Sequence, residues 1–243
     1  MKIGVYGLGR FGVFWGSQLS KIGAVYGYSR NRKNNLPDSI LQVGYEKLLD
    51  CDVIVLCVAI SAMEDVLKKL STDIKKNCLV MDTCSVKVHP VYLMDKYLPA
   101  HVSIIGTHPM FGPDSGKNGI RGLPLVLSPV RNSMEVFKEW RTRFIGMGTR
   151  VIEMTADEHD REAAFTQGIT HFIGRVLKEL ELKQSSIGTL GYTKLLEIIE
   201  QTCNDPEQLF FDLQRYNPYT NEMRGRLFEA VTSRMSMISD NQA

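Results

Sequence analysis

Charge of one sign is what this chain most plainly lacks: 29 Lys and Arg stand against 27 Asp and Glu, a formal net charge of +2. That balance supplies no electrostatic footprint for nucleic acid, so no nucleic-acid partner is expected. No apolar run is long enough to span a bilayer, so no membrane partner is expected either. The start MKIGVYG reads at once as a strand, and no cleavable signal or transit peptide is expected there. Internal repeats and low-complexity tracts are missing, and only the short polar end SDNQA looks unable to pack. Cysteine is scarce and unpatterned. Cys51, Cys57, Cys78, Cys84 and Cys203 form no C-x-x-C pair and are odd in number. Free thiols packed as small hydrophobes are expected rather than a disulfide framework, which fits a reducing, cytoplasmic setting. No metal site is expected.

What is present is the composition of a globular protein, 44% apolar and 23% charged, in 243 residues that suit one large domain or two modest ones. The first part alternates short apolar runs with amphipathic segments. KIGVYG, AVYGYS, DVIVLCVA, CLVMDT, VSIIGT, LPLVLSP and RVIEM read as buried strands, and RFGVFWGSQLSKIG and AMEDVLKKLSTDI between them have helical spacing. Strands alternating with helices predict an α/β domain with a mostly parallel sheet over residues 1–153. From residue 154 to 243 only helical spacing remains, in TADEHDREAAFTQGITHFIGRVLKEL, LGYTKLLEIIEQTCND and the run after it. So small a helical domain has little core of its own, and its apolar faces are expected to pack on the first domain and on a second subunit. A homodimer is the expected assembly.

Gly7, Gly9 and Gly12 form G-x-G-x-x-G between the first expected strand and the first expected helix. The first glycine permits the tight turn. The second lets the backbone approach a pyrophosphate, and the third lets helix and strand pack closely, with the anion at the helix N-terminus. The motif makes the first domain a Rossmann-type, doubly wound sheet. Gly7, Leu8, Gly9, Arg10, Phe11 and Gly12 are the expected cofactor loop. An acid about 20 residues further on would hold the ribose 2′-hydroxyl of NAD. The sequence has Tyr28, Ser29, Arg30, Asn31, Arg32 there. A hydroxyl and two guanidinium groups suit a 2′-phosphate, so Ser29, Arg30 and Arg32 predict NADP, with NAD as the alternative.

The stretch THPMFGPDSG, Thr107 to Gly116, follows the fifth expected strand. Strand C-terminal ends face the cofactor crevice in such sheets, so His108 is expected to point at the site. Together with the glycine-rich start, DTCSVK (Asp82 to Lys87) and GTHPMFGPDSG (Gly106 to Gly116) resemble the prephenate/arogenate dehydrogenase family of tyrosine biosynthesis. DEHDREAAFTQGITHF, Asp157 to Phe172, is similar to the long first helix of that family's second domain. The resemblance covers nearly the whole chain and implies an oxidoreductase. Hydride leaves the ring carbon bearing the hydroxyl, the ring carboxylate departs as CO2, and the ring becomes aromatic.

By that resemblance His108 takes the proton of the ring hydroxyl, a role an imidazole suits near neutral pH. Ser85 bonds the same hydroxyl or orients the histidine. His171 is a substrate-side histidine, with Gln167 one helical turn before it and Thr170 turned away. Lys87 is expected to favour an anion nearby. His89, His101 and His159 are read as structural.

Prephenate carries a keto acid side chain and arogenate an amino acid side chain. Prephenate-specific members present an arginine a few residues before an Asp-Pro step. Here Glu200 stands at that distance before Asp205-Pro206 and would pair with an ammonium, so arogenate is the expected substrate and prephenate the alternative. Arg215, Arg224 and Arg226 are candidates for the substrate carboxylates. Two other readings compete. A small hydroxy acid dehydrogenase would rely on a lysine such as Lys178, Lys183 or Lys194. A dinucleotide-binding redox sensor would lack a proton-handling residue.

Overall fold

The computed structural model describes residues 1–240; the last three residues of the polar end SDNQA lie outside the described residues. The chain divides into two units, Met1–His159 and Asp160 onward; the sequence pattern changes slightly earlier, after residue 153.

The first unit is built on eight strands: β1 (Lys2–Tyr6), β2 (Ala24–Tyr28), β3 (Ile40–Gln42), β4 (Val53–Leu56), β5 (Leu79–Asp82), β6 (Ser103–Pro109), β7 (Pro124–Arg131) and β8 (Arg150–Glu153). They lie in one sheet in the order β3-β2-β1-β4-β5-β6-β7-β8. β1 to β6 run parallel in the doubly wound order. β7 returns antiparallel to β6, and β8 runs parallel to β7. The inner strands are apolar on both faces, as a covered parallel sheet requires: every residue of β4 and β5 is buried. β3 is not among the expected strands, because three residues at a sheet edge leave no periodic signal.

Helices α1 (Arg10–Leu19), α2 (Tyr45–Leu49), α3 (Met63–Leu70), α4 (Val88–Tyr97) and α5 (Met134–Gly146) connect or follow these strands. α3 shows why such segments are helical. Met63, Leu67 and Leu70 fall on one buried stripe, and Glu64 and Asp65 in the first turn complement the helix dipole. The α5 N-terminus is capped by Ser133, whose hydroxyl accepts from the Val136 amide at 3.3 Å. Under the sheet Trp15 stacks on Phe144 with ring centroids 6.1 Å apart.

α6 (Ala156–Ala163) leads through a single π turn, Ala164–Gly168, into α7 (Ile169–Lys178). α8 (Leu190–Cys203), α9 (Glu207–Tyr216) and α10 (Thr220–Asp240) complete the second unit, which has no strand among the described residues. α7 packs on α8 at close range. A Cβ at Gly174 would lie 2.1 Å from the Thr202 hydroxyl, so only glycine fits there. No helix of the described residues is long and apolar enough to cross a membrane.

Candidate functional site

The glycine-rich loop leaves β1 at the point where the strand order reverses between β1 and β4. Gly7 has φ +107°, and a Cβ there would lie 2.2 Å from the Cys57 carbonyl oxygen. A Cβ at Gly12 would lie 1.8 Å from the Gly7 carbonyl oxygen. These two glycines are demanded by the protein's own backbone. Gly9 differs: a Cβ there would meet nothing within 4 Å. It is the N-cap of α1, in extended conformation and without a side-chain cap, so the first-turn amides of α1 point to open space. That cradle fits the pyrophosphate of a dinucleotide. Leu8 is buried and packs toward Gly27, so it offers backbone only. Phe11 is half-buried beside Phe14 and Trp15. Arg10 pairs with Asp114, joining the glycine loop to the loop that follows His108.

Beyond β2, Ser29 is half-buried and Arg30 and Arg32 are exposed. Neither arginine has a carboxylate partner among the described residues. The basic turn is held by Gln42 of β3, which accepts from the Lys33 amide at 2.9 Å and donates to the Asn31 carbonyl at 3.1 Å. Beside it Tyr6, Tyr28 and Tyr45 form an edge-to-face cluster with centroids 5.0 to 6.3 Å apart. Burial raises the Tyr6 pKa, Tyr28 adds to this, and the positive charge of Arg30 opposes it. The Arg30 guanidinium is thus within electrostatic reach of the cluster.

His108 is not after the fifth expected strand, which is β6, but inside it. β6 runs on to Pro109 because β7 continues the pairing, with His108 opposite Val126 and Pro109 opposite Leu125. Its parallel pairing with β5 stops at Ile105, so Gly106 to Pro109 project past that neighbour at the C-terminal edge. His108 is 4% exposed, and its Nδ1 lies 2.8 Å from Nε2 of His159 on α6, itself 2% exposed. The rings meet at 63°. His159, which reads as structural in the sequence, is therefore part of the site. Its partnership with His108 has no local signal in the sequence, since the two are 51 residues apart.

Ser85 sits in the turn between β5 and α4, buried, with its hydroxyl unpartnered among the described residues. Two residues on, Lys87 departs from expectation. Its side chain is 0% exposed and paired with Asp82, so it has no surface to offer a substrate anion. Nζ also donates to the Thr107 carbonyl at 2.6 Å. Asp82 accepts from the amides of Cys84 at 3.0 Å and Thr107 at 3.1 Å. The Thr107 hydroxyl donates to the Asp82 carbonyl. This buried clamp ties the Ser85 turn to the residue before His108.

In the second unit Gln167 lies in the π turn and His171 one turn later. The Gln167 Oε1 and the His171 Nδ1 are both buried without a partner among the described residues. π turns of this kind concentrate at functional sites. Burial pushes the His171 pKa down to about 4, with the Arg175 charge adding to it, so this ring is neutral at neutral pH. Arg175, which no motif in the sequence singles out, donates to the carbonyls of Thr202 at 3.3 Å and Asp205 at 2.7 Å and fixes the α8–α9 turn. Glu200 is exposed on α8. Thr202 is the residue that faces α7, and two residues earlier is about 200° around the helix. Glu200 therefore lies on the side of α8 away from the α7 contact. Arg224 is committed to Gln214, whose backbone and side-chain oxygens it holds at 3.1 and 2.7 Å. Arg215 and Arg226 are exposed. Lys178, Lys183 and Lys194 are all exposed.

Residues 16–153 match the family model described as prephenate dehydrogenase, nucleotide-binding domain, and residues 176–242 match TYRAAT1-like, C-terminal domain. Among curated proteins, the chain is 38% identical to arogenate dehydrogenase 1, chloroplastic, of Arabidopsis thaliana over 96% of its own length and 38% of that protein's. It is 36% identical to arogenate dehydrogenase 2, chloroplastic, of the same plant over 95% of the chain and 69% of the relative. The chain thus spans little more than a third of the first relative and about two thirds of the second. Among solved structures, prephenate dehydrogenase from A. aeolicus with hydroxyphenyl propionate and NAD+ superposes with TM-score 0.76 at 20% identity, over 100% of this chain and 92% of that one. Synechocystis arogenate dehydrogenase gives 0.71 at 20% identity, over 100% and 93%. These two likenesses establish the fold.

Proposed function

Because the chain belongs to the prephenate/arogenate dehydrogenase family, we propose that it oxidises and decarboxylates arogenate to tyrosine with NADP, His108 taking the ring hydroxyl proton. The observation that carries this is a buried histidine at the C-terminal edge of the sheet, its Nδ1 engaged by His159, in a unit that also holds an open glycine cradle. The cofactor, when bound, accepts hydride from the ring carbon bearing the hydroxyl. Gly7, Gly9 and Gly12 with the α1 amides hold its pyrophosphate. Ser29, Arg30 and Arg32 hold the 2′-phosphate, and the lack of an acid after β2 supports NADP over NAD.

His108 works through Nε2, since Nδ1 is committed. It accepts the hydroxyl proton as the carbonyl character of that carbon grows, which lets the ring carboxylate leave as CO2 and the ring become aromatic. The unpartnered Ser85 hydroxyl supports a hydrogen bond to the same substrate oxygen. Aromatisation drives the reaction, so the residues need do little beyond positioning and proton handling.

The preference for arogenate rests on Gln167 and on the two Arabidopsis relatives, not on Glu200. A buried amide oxygen without a partner calls for a donor. The ammonium of arogenate is a donor; the keto group of prephenate at the same place is an acceptor. The neutral His171 adds no charge that would repel the ammonium.

A homodimer through the helical unit belongs to this proposal. Phe228, Val231, Met235 and Ile238 are at least half exposed and form one stripe along α10. A stable monomer in sedimentation at micromolar concentration would remove it. The cytoplasmic location rests on five free cysteines, while both Arabidopsis relatives are named chloroplastic. The test of function is the initial rate of reduced-nicotinamide formation with arogenate and prephenate, each with NADP and NAD. Turnover best with arogenate and NADP supports the proposal; best turnover with prephenate or NAD overturns the corresponding half.

A further inference from the structure

We propose that His159 is the positioning residue of His108, holding its ring in the Nδ1–H tautomer and accepting that hydrogen bond throughout the reaction. The inference rests on the reading of His108 as the proton acceptor. Two imidazole nitrogens 2.8 Å apart share one proton, so one ring donates and the other accepts. If His159 donated, the hydrogen of a neutral His108 would sit on Nε2, and Nε2 could not take the substrate's proton. Base chemistry therefore requires His108 Nδ1–H to donate to His159 Nε2. The balance is simple. The substrate O–H bond breaks, an Nε2–H bond forms on His108, and its positive charge shortens and strengthens the hydrogen bond from Nδ1–H to His159 Nε2. No proton passes to His159. It does for His108 what a buried carboxylate does for the base of a hydrolytic triad, without adding a negative charge.

The fold around His159 suits a fixed acceptor. α6 begins with a capping box. The Thr155 hydroxyl accepts from the Glu158 amide at 3.2 Å, and the Glu158 carboxylate accepts from the Thr155 amide at 2.8 Å. The His159 amide donates to the Thr155 carbonyl at 3.0 Å, so the backbone that carries this ring is locked one turn into the helix. On the other side, the Asp82–Lys87 clamp fixes Thr107 next to His108. Both rings are thus held from rigid elements, which a tautomer lock needs.

The test uses the full chain with 15N-labelled histidine. Long-range proton–nitrogen correlation identifies the tautomer of His108, assigned by the signal lost in His108→Asn. Three proteins are compared: wild type, His159→Gln, whose Oε1 can accept at the place of Nε2 but cannot titrate, and His159→Leu, which cannot accept. The expected result is Nδ1–H on His108 in wild type and in His159→Gln, and a shift toward Nε2–H in His159→Leu. In parallel, kcat should fall roughly 10- to 100-fold in His159→Leu with KM little changed, and largely recover in His159→Gln. An Nε2–H tautomer in wild type overturns the proposal. So does an unchanged kcat in His159→Leu, or an equal loss in both variants with KM raised. If the wild type oxidises neither arogenate nor prephenate, the proposed function fails instead, and the tautomer still reports whether His159 holds His108.

Discussion

Replacing Lys87 by methionine keeps the length of the side chain and removes its charge. It leaves the Asp82 carboxylate 0% exposed without a cation, held by the amides of Cys84 and Thr107 at 3.0 and 3.1 Å and by the Cys84 thiol. The Thr107 carbonyl also loses its 2.6 Å donor. Breaking a buried ion pair from one side typically costs about 3–5 kcal/mol. The two surviving amide bonds place the expected cost near the lower end, about 3 kcal/mol. Both tryptophans, Trp15 and Trp140, lie in the same unit, so urea unfolding followed by tryptophan fluorescence reads the right part of the chain. Neutralising the orphaned acid as well, in Asp82→Asn/Lys87→Met, should recover part of that loss, because an uncompensated buried charge is then gone. A single variant within about 1 kcal/mol of wild type would refute the reasoning. So would a double variant less stable than the single one.

Three further outcomes follow from the same geometry. The His171 pKa is about 4 in the folded chain against an ordinary 6.5 for a solvated histidine, so below pH 6.5 the unfolded chain binds a proton that the folded one refuses. Stability should fall by up to about 3 kcal/mol between pH 6.5 and 4 on this account, and His171→Phe should flatten that part of the curve followed by helical circular dichroism. Arg30→Ala/Arg32→Ala should raise KM for NADP at least roughly tenfold and leave that for NAD within about twofold, measured by initial rates; an equal effect on both cofactors would place the 2′-phosphate elsewhere. Gln167→Leu should raise KM for arogenate roughly tenfold, about the 1.4 kcal/mol of one lost hydrogen bond, whereas Glu200→Arg should change the arogenate-to-prephenate preference less than about twofold. A large effect of Glu200→Arg would bring that carboxylate back to the substrate.

The features legible in the sequence are those enforced over a few residues. Gly7 and Gly12 can be read because a Cβ at either would collide with nearby backbone, and Gly9 because the motif gives it a ligand-facing role. The inner strands can be read because both faces are buried. What cannot be read depends on distant partners. The extension of β6 through His108 is set by its register with β7. Lys87 looks like any lysine in a turn until Asp82 and the Thr107 carbonyl close around it. Counting back from Asp205-Pro206 singles out Glu200, but the helical phase of α8 is set by the close approach of Thr202 to Gly174, which counting does not show. His159 meets His108 across 51 residues, a pairing that no local pattern records.

His108→Asn is the variant that tests proton transfer at this histidine most directly. Asparagine keeps a hydrogen-bonding side chain and removes the base. NADP binding by fluorescence titration should be unchanged within about twofold, while kcat with arogenate should fall roughly 10²- to 10⁴-fold. Turnover within a few-fold of wild type, with binding intact, would contradict the assignment of His108 as the group that takes the proton.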